Sequence, residues 1–139
     1  MSGNLDFVRS IVAAHERGDY ASADWADPEI EYVIADGPDA GVFRGRAAMA
    51  KAWRAALSAY RDYSTVVEEI REIDDERVLV LGSFKGGGKA SGIGASGMRT
   101  GAALYQVRNG RVIRHALYFD RDNALADLGL KEQGSHRRT

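Results

Sequence analysis

RTGAALYQVRNGRVIRHALYFD, residues 99–120, decides the fold: two alternating runs flank Asn109-Gly110. Asn-Gly between such runs is a strong hairpin signal, because both central residues of a type I′ turn need positive φ. A two-residue turn sets Arg108 opposite Arg111 and predicts the rest of the register. One face then carries Thr100, Ala102, Leu104 and Gln106 opposite Phe119, Leu117, His115 and Ile113. The other carries Arg99, Gly101, Ala103, Tyr105 and Val107 opposite Asp120, Tyr118, Ala116, Arg114 and Val112. The first face is mostly apolar, which makes it the core face and puts His115 inside.

Outward from the hairpin, the chain reads as one domain over residues 1–130 with a polar tail at 131–139. Periodicity predicts a helix from Asn4 to Arg17, on which Leu5, Val8, Ile11, Val12 and His15 recur at three- and four-residue spacing. Gly18 and Asp19 separate it from a short helix, Tyr20 to Trp25. The turn Asp27-Pro28 leads into a strand, Glu29 to Ile34, and a loop, Asp36 to Gly41. A helix from Arg46 to Tyr60 puts Met49, Trp53, Ala56, Leu57 and Tyr60 on one stripe, suited to cover a sheet. Two strands, Thr65 to Ile73 and Arg77 to Lys85, complete a four-strand antiparallel meander with the hairpin. A short helix, Asp122 to Leu128, follows Asp120.

Composition excludes several functions. The 139 residues are 45% apolar and 28% charged, enough for one real core. Nineteen Lys plus Arg against twenty Asp plus Glu give no reason to expect nucleic acid or an anionic membrane as partner. With no cysteine, disulfides, thiolate metal sites and a Cys nucleophile are out. No apolar run approaches the ~20 residues needed to cross a bilayer, and no leader pattern opens the chain, so the cytoplasm is the default compartment. Gly92, Gly94 and Gly97 match a dinucleotide fingerprint in letters only, since a strand rather than a helix follows them. The phosphate-loop pattern fails as well: Ala90 follows Lys89, and Ser83 stands where its first glycine belongs.

The order of helix, Arg17-Gly18-Asp19, short helix, Trp25-Ala26-Asp27-Pro28, strand, Gly45-Arg46, covering helix and a meander ending Tyr118-Phe119-Asp120 resembles the SnoaL-like branch of the nuclear-transport-factor-2-like superfamily. The resemblance spans Leu5 to Leu130. It implies an α+β cone, in which a strongly curved, mainly antiparallel sheet wraps around three N-terminal helices, with an apolar pocket between them and usually a dimer. It implies no single reaction, because this fold hosts cyclases, isomerases, epoxide hydrolases and proteins without catalysis. The general-base Asp of ketosteroid isomerase falls on Tyr32, its oxyanion Tyr near Ile11, and its second acid within Ala102 to Leu104, so that mechanism has no residues here. The last-strand Asp of limonene epoxide hydrolase aligns with Leu117, which removes that relay.

The residues left for the pocket are Trp25, Tyr32, Trp53, Tyr60, Leu104, His115, Leu117 and Phe119. An aromatic lining with one histidine suits a small apolar ligand. His115 is then the candidate general base, abstracting a proton beside a carbonyl, with the Tyr32 hydroxyl donating to the enolate. The competing reading is a buried neutral imidazole bonded to a tyrosine or a backbone carbonyl. Asp120 is the third candidate, since SnoaL-like cyclases carry an acid at the end of the last strand. It lies about 17 Å along the strand from His115 with opposite parity, and a cross-strand ion pair with Arg99 competes. His15 suits the dipole at the end of its helix and reads as structural. No spacing suggests a metal, and no cofactor is implied. The outer hairpin face, with Tyr105, Ala116 and Tyr118, is apolar enough to need cover, which a twofold homodimer would give. Two function classes stand: a cofactor-free acid/base isomerase, cyclase or hydratase on a hydrophobic carbonyl compound, and a non-catalytic ligand-binding or interaction protein.

Overall fold

The computed structural model describes residues 3–16, 24–36, 40–88 and 98–130, with side chains outside 56–65, 84–88 and 98–100. The elements run α1 (Gly3–Glu16), β1 (Ala26–Ile34), β2 (Gly41–Arg44), α2 (Arg46–Ala59), β3 (Tyr60–Glu72), β4 (Arg77–Gly88), β5 (Met98–Arg108), β6 (Arg111–Tyr118) and α3 (Arg121–Leu128). The expected short helix at Tyr20 and most of the glycine loop lie outside the described residues. The six strands form one open sheet in the order β2-β1-β6-β5-β4-β3. Four of them, β3 to β6, are the predicted meander, while β1 joins β6 in parallel, which makes the sheet mixed. The α+β cone architecture implied by the resemblance is the one observed. No helix among the described residues is long and apolar enough to cross a membrane.

The hairpin turn has positive φ at both Asn109 (54°) and Gly110 (75°), and Arg108 faces Arg111. Beyond the turn the register departs from strict alternation. Val107 pairs with Val112, but Gln106 pairs with Arg114, so Ile113 is an extra residue in β6. A bulge of this kind reverses the parity of everything after it. His115 therefore faces Tyr105 rather than Leu104.

The consequence is a sheet buried on both faces. On the concave side, Ile30, Tyr32, Ile34, Val78, Val80, Tyr105, Val107 and Val112 pack with Val8, Ile11 and Val12 of α1 and Met49 of α2. On the convex side, Leu79, Leu81, Ala102, Leu104, Ala116 and Tyr118 pack under Ala124 and Leu125 of α3. The Tyr118 hydroxyl donates to the Asp127 carboxylate at 2.9 Å, which ties that helix down. One sequence expectation changes as a result: Tyr105 lies inside the cone rather than outside. Ala116 and Tyr118, expected on the outer face, pack under the chain's own α3.

Candidate functional site

Register alone assembles the site. Tyr32 of β1 is level with His115 of β6, and His115 with Tyr105 of β5. Phe43 of β2 is level with Tyr32 on the other side. The concave face thus carries a row Phe43, Tyr32, His115, Tyr105 across four neighbouring strands. His115 stacks on Tyr105, with ring centroids 4.3 Å apart at 22°, and lies tilted against Tyr32 at 5.4 Å.

Two indoles cover the row. Trp53, on the inward stripe of α2, stands edge-on to Tyr32 at 6.1 Å and to His115 at 6.5 Å. Trp25 precedes β1, where its carbonyl accepts from the Val112 N–H at 2.8 Å, and its ring meets His115 edge-on at 6.1 Å. The two indoles stack at 5.8 Å. Gly45, at φ +90°, turns the chain from β2 into α2, and the Arg46 side chain donates to the Ala26 carbonyl at 2.8 Å. These contacts hold the start of α2, and hence Trp53, against β1.

The buried His115 ring has a defined tautomer. Its Nδ1 lies 3.2 Å from the Leu104 carbonyl oxygen, which can only accept, so Nδ1 carries the proton and Nε2 the lone pair. Burial pushes its pKa down to about 3, the hydrogen bond to Leu104 opposes that fall, and repulsion from His15 adds to it. The imidazole is neutral at ordinary pH, with the Leu104 backbone carbonyl as its hydrogen-bond partner. Tyr32 is 2% exposed, and burial pushes its pKa up to about 12, against the hydrogen bond donated by the Trp53 indole. Its hydroxyl stays protonated and can donate to a further acceptor.

Other candidates fall elsewhere. Leu104 packs on the convex face under α3 and supplies only its carbonyl to the site. Leu117 is half-buried on the concave face, level with Ile34 and Ala103. Phe119 packs against the concave core, and its N–H donates to Asp36. The Tyr60 side chain lies outside the described residues. Asp120 is a helix cap: β6 ends at Tyr118, and the Asp120 carboxylate accepts from the Asp122 N–H at 2.9 Å at the start of α3. The β5–β6 ladder ends at Ala102 and Tyr118, two residues short of Asp120, so Asp120 holds no ladder position opposite Arg99. Asp120→Ala should lower stability by about 1 kcal/mol in urea unfolding, with Asp120→Asn near wild type and ligand binding the same in all three.

Sequence reasoning passed over two residues of the cluster. Tyr105 was given to the wrong face by the bulge. His15 touches both indoles edge-on, at 5.8 Å from Trp25 and 5.2 Å from Trp53. The signal for His15 was its place on the buried stripe of α1, after Val8, Ile11 and Val12. Among the described residues no group of three potential metal ligands occurs.

The model of the SnoaL-like domain matches residues 8–115 of the chain. Comparison with curated protein sequences gave no match. Among solved structures, an NTF2-like protein from Burkholderia thailandensis superposes with a TM-score of 0.76 at 20% identity, over 94% of this chain and 100% of its own. A candidate polyketide cyclase from Xanthomonas campestris gives 0.67 at 21% identity, over 90% and 96%. TerC co-crystallised with polyporic acid gives 0.72 at 19%, over 91% and 98%. At these identities the likeness is one of fold.

Proposed function

The chain belongs to the SnoaL-like domain family, and from that premise we propose that it binds a small, largely apolar ring compound bearing a carbonyl at the aromatic cluster of Tyr32, His115, Trp25 and Trp53. The observation that carries this reading is the state of His115. Within a lining of aromatic and aliphatic groups it offers one acceptor, Nε2, beside one donor, the Tyr32 hydroxyl. A mainly apolar surface with a few placed polar groups is the usual construction of a small-molecule site. A carbonyl suits the Tyr32 proton, and a hydroxyl or N–H suits Nε2. The fold neighbour TerC, crystallised with polyporic acid, supports a small-molecule reading.

Turnover as an isomerase, cyclase or hydratase needs a base that takes a proton near neutral pH. His115 holds its lone pair too weakly for that, which favours binding without catalysis by this residue. The test is native mass spectrometry for a co-purifying compound, followed by titration of tryptophan emission with 2-methoxy-1,4-naphthoquinone. Saturable quenching is expected, and Tyr32→Phe should weaken it about fivefold, the effect of one hydrogen bond of about 1 kcal/mol. No co-purifying compound and no saturable quenching by a panel of ring ketones would retire the proposal.

A further inference from the structure

We infer that His15, rather than His115, is the group through which the cone takes on charge, and that an ionised ring hydroxyl, a phenolate or enolate, is the ligand class it selects. The first half rests on the geometry of the rings; the second rests also on the binding reading above. His115 is locked by the Leu104 carbonyl and sandwiched between Tyr105 and Tyr32. His15 sits half-buried in the last turn of α1, where the helix dipole favours a cation. Its ring meets both indoles, and an imidazolium against indole gains cation–π stabilisation. Both indoles touch His115 and Trp53 also touches Tyr32, so charge on His15 lies one ring away from the proposed ligand groups. A charge on His15 would repel one on His115 and so add to the burial that keeps His115 neutral.

Among the described residues, the other ionisable groups on the surrounding elements are exposed or hydrogen-bonded to partners of their own. On α1, Arg9 is exposed, and the exposed Glu16 accepts from the Val67 N–H at 3.0 Å. Asp24, beside Trp25, and Lys51 and Arg54 of α2 are exposed. On β3, Glu68 binds Ser83 and Arg121, and Glu69 binds Arg71; at the start of β4, Arg77 binds Asp74. Among the described residues this leaves His15, His115, Tyr32 and Tyr105 around the indoles; of the two imidazoles, His115 is buried and His15 half-buried, so a charge on His15 loses less hydration. A cation in an aromatic, poorly hydrated setting strengthens its pairing with an anion, and the anion compatible with an apolar lining is a delocalised one on a ring.

Trp25 and Trp53 are the two tryptophans of the chain, so intrinsic emission reads this cluster alone. An imidazolium in contact quenches indole emission. In the ligand-free full chain, emission should fall as pH is lowered through the histidine range. His15→Gln should abolish the fall, and His115→Gln should keep it. In wild-type protein the His15 ring resonances should move over the same range while those of His115 hold their neutral position, a readout that needs no variant to fold. At the acid end of that range, 2-hydroxy-1,4-naphthoquinone, an anion under these conditions, should bind about tenfold tighter than its 2-methoxy analogue, and His15→Gln should erase the difference. Flat wild-type emission, a fall that survives His15→Gln, or a titrating His115 overturns the assignment of charge. Equal affinity for the two quinones with the titration intact overturns the ligand class. Failure of both quinones to bind counts against the binding reading instead, while the emission and resonance data still decide which histidine is charged.

Discussion

Gly82→Ala is expected to destabilise the protein by about 2–3 kcal/mol, at the upper end of what overpacking one methyl group costs. A Cβ at this position would lie 2.6 Å from the Val66 carbonyl oxygen and 3.4 Å from the Val67 Cα, both backbone atoms that cannot rotate away. The approach is close because β3 is bulged there: Val67 is level with Gly82 and Glu69 with Leu81, leaving Glu68 as the extra residue. That residue is put to use. The Glu68 carboxylate accepts from Ser83 Oγ and from Arg121, at 2.6 Å each, and Arg121 also donates to the Gly82 carbonyl at 3.2 Å. Because Arg121 opens α3, a shifted bulge would also loosen the helix that covers the convex core. Gly3→Ala, where a Cβ meets nothing within 4 Å, is the control and should stay within about 0.5 kcal/mol of wild type. Urea unfolding measures both, and a Gly82→Ala effect as small as that of the control would mean that the bulge relaxes around the methyl group.

Bulges also mark the limit of what the sequence discloses. The turn at Asn109-Gly110, the four-strand meander and the covering helix α2 were legible, since each depends on local chemistry: positive φ, period-two alternation and a 3.6-residue stripe. Ile113 leaves no such trace. A bulge inserts one residue into an apolar run without altering its composition, and here neither parity of β5 looks wrong. Ala102 and Leu104 face α3, Ala103, Tyr105 and Val107 face α1 and α2, and both sets are apolar because both faces are buried. Strand β2 was equally silent, being four residues at the sheet edge, and β1 begins three residues before Glu29, through Asp27-Pro28. In the site, Tyr32, Trp25, Trp53 and His115 were legible as aromatic residues on inward stripes. Tyr105 was lost to the bulge, Leu104 was gained wrongly for the same reason, and Asp120 was left between a pocket acid and a partner of Arg99, although its local sequence, Asp before Arg-Asp-Asn-Ala-Leu, is that of the helix cap it forms.

The buried imidazole makes acid stability the other large expected effect. The folded pKa of His115 is about 3, below the 6.5 of the exposed side chain, so below pH 6.5 the unfolded chain binds a proton that the folded chain refuses. Stability contributed by this residue is therefore complete above pH 6.5 and is lost as pH falls, at about 1.4 kcal/mol per pH unit until the folded pKa is reached. Between pH 7 and pH 5 the loss amounts to about 2 kcal/mol. His115→Gln isolates it: the amide can still donate to the Leu104 carbonyl, but nothing titrates. The difference in unfolding free energy between wild type and His115→Gln should therefore shrink by about 2 kcal/mol as the pH goes from 7 to 5, whatever the carboxylates do in both chains. Parallel pH profiles would show that the His115 ring is protonated in the folded chain as readily as in the unfolded one. General-base chemistry at His115 would then return as a live mechanism, and the division of labour between the two histidines would collapse. A wild-type profile that falls more steeply than that of the variant in this window instead fixes His115 as a neutral acceptor and leaves any proton transfer in the cone to another group.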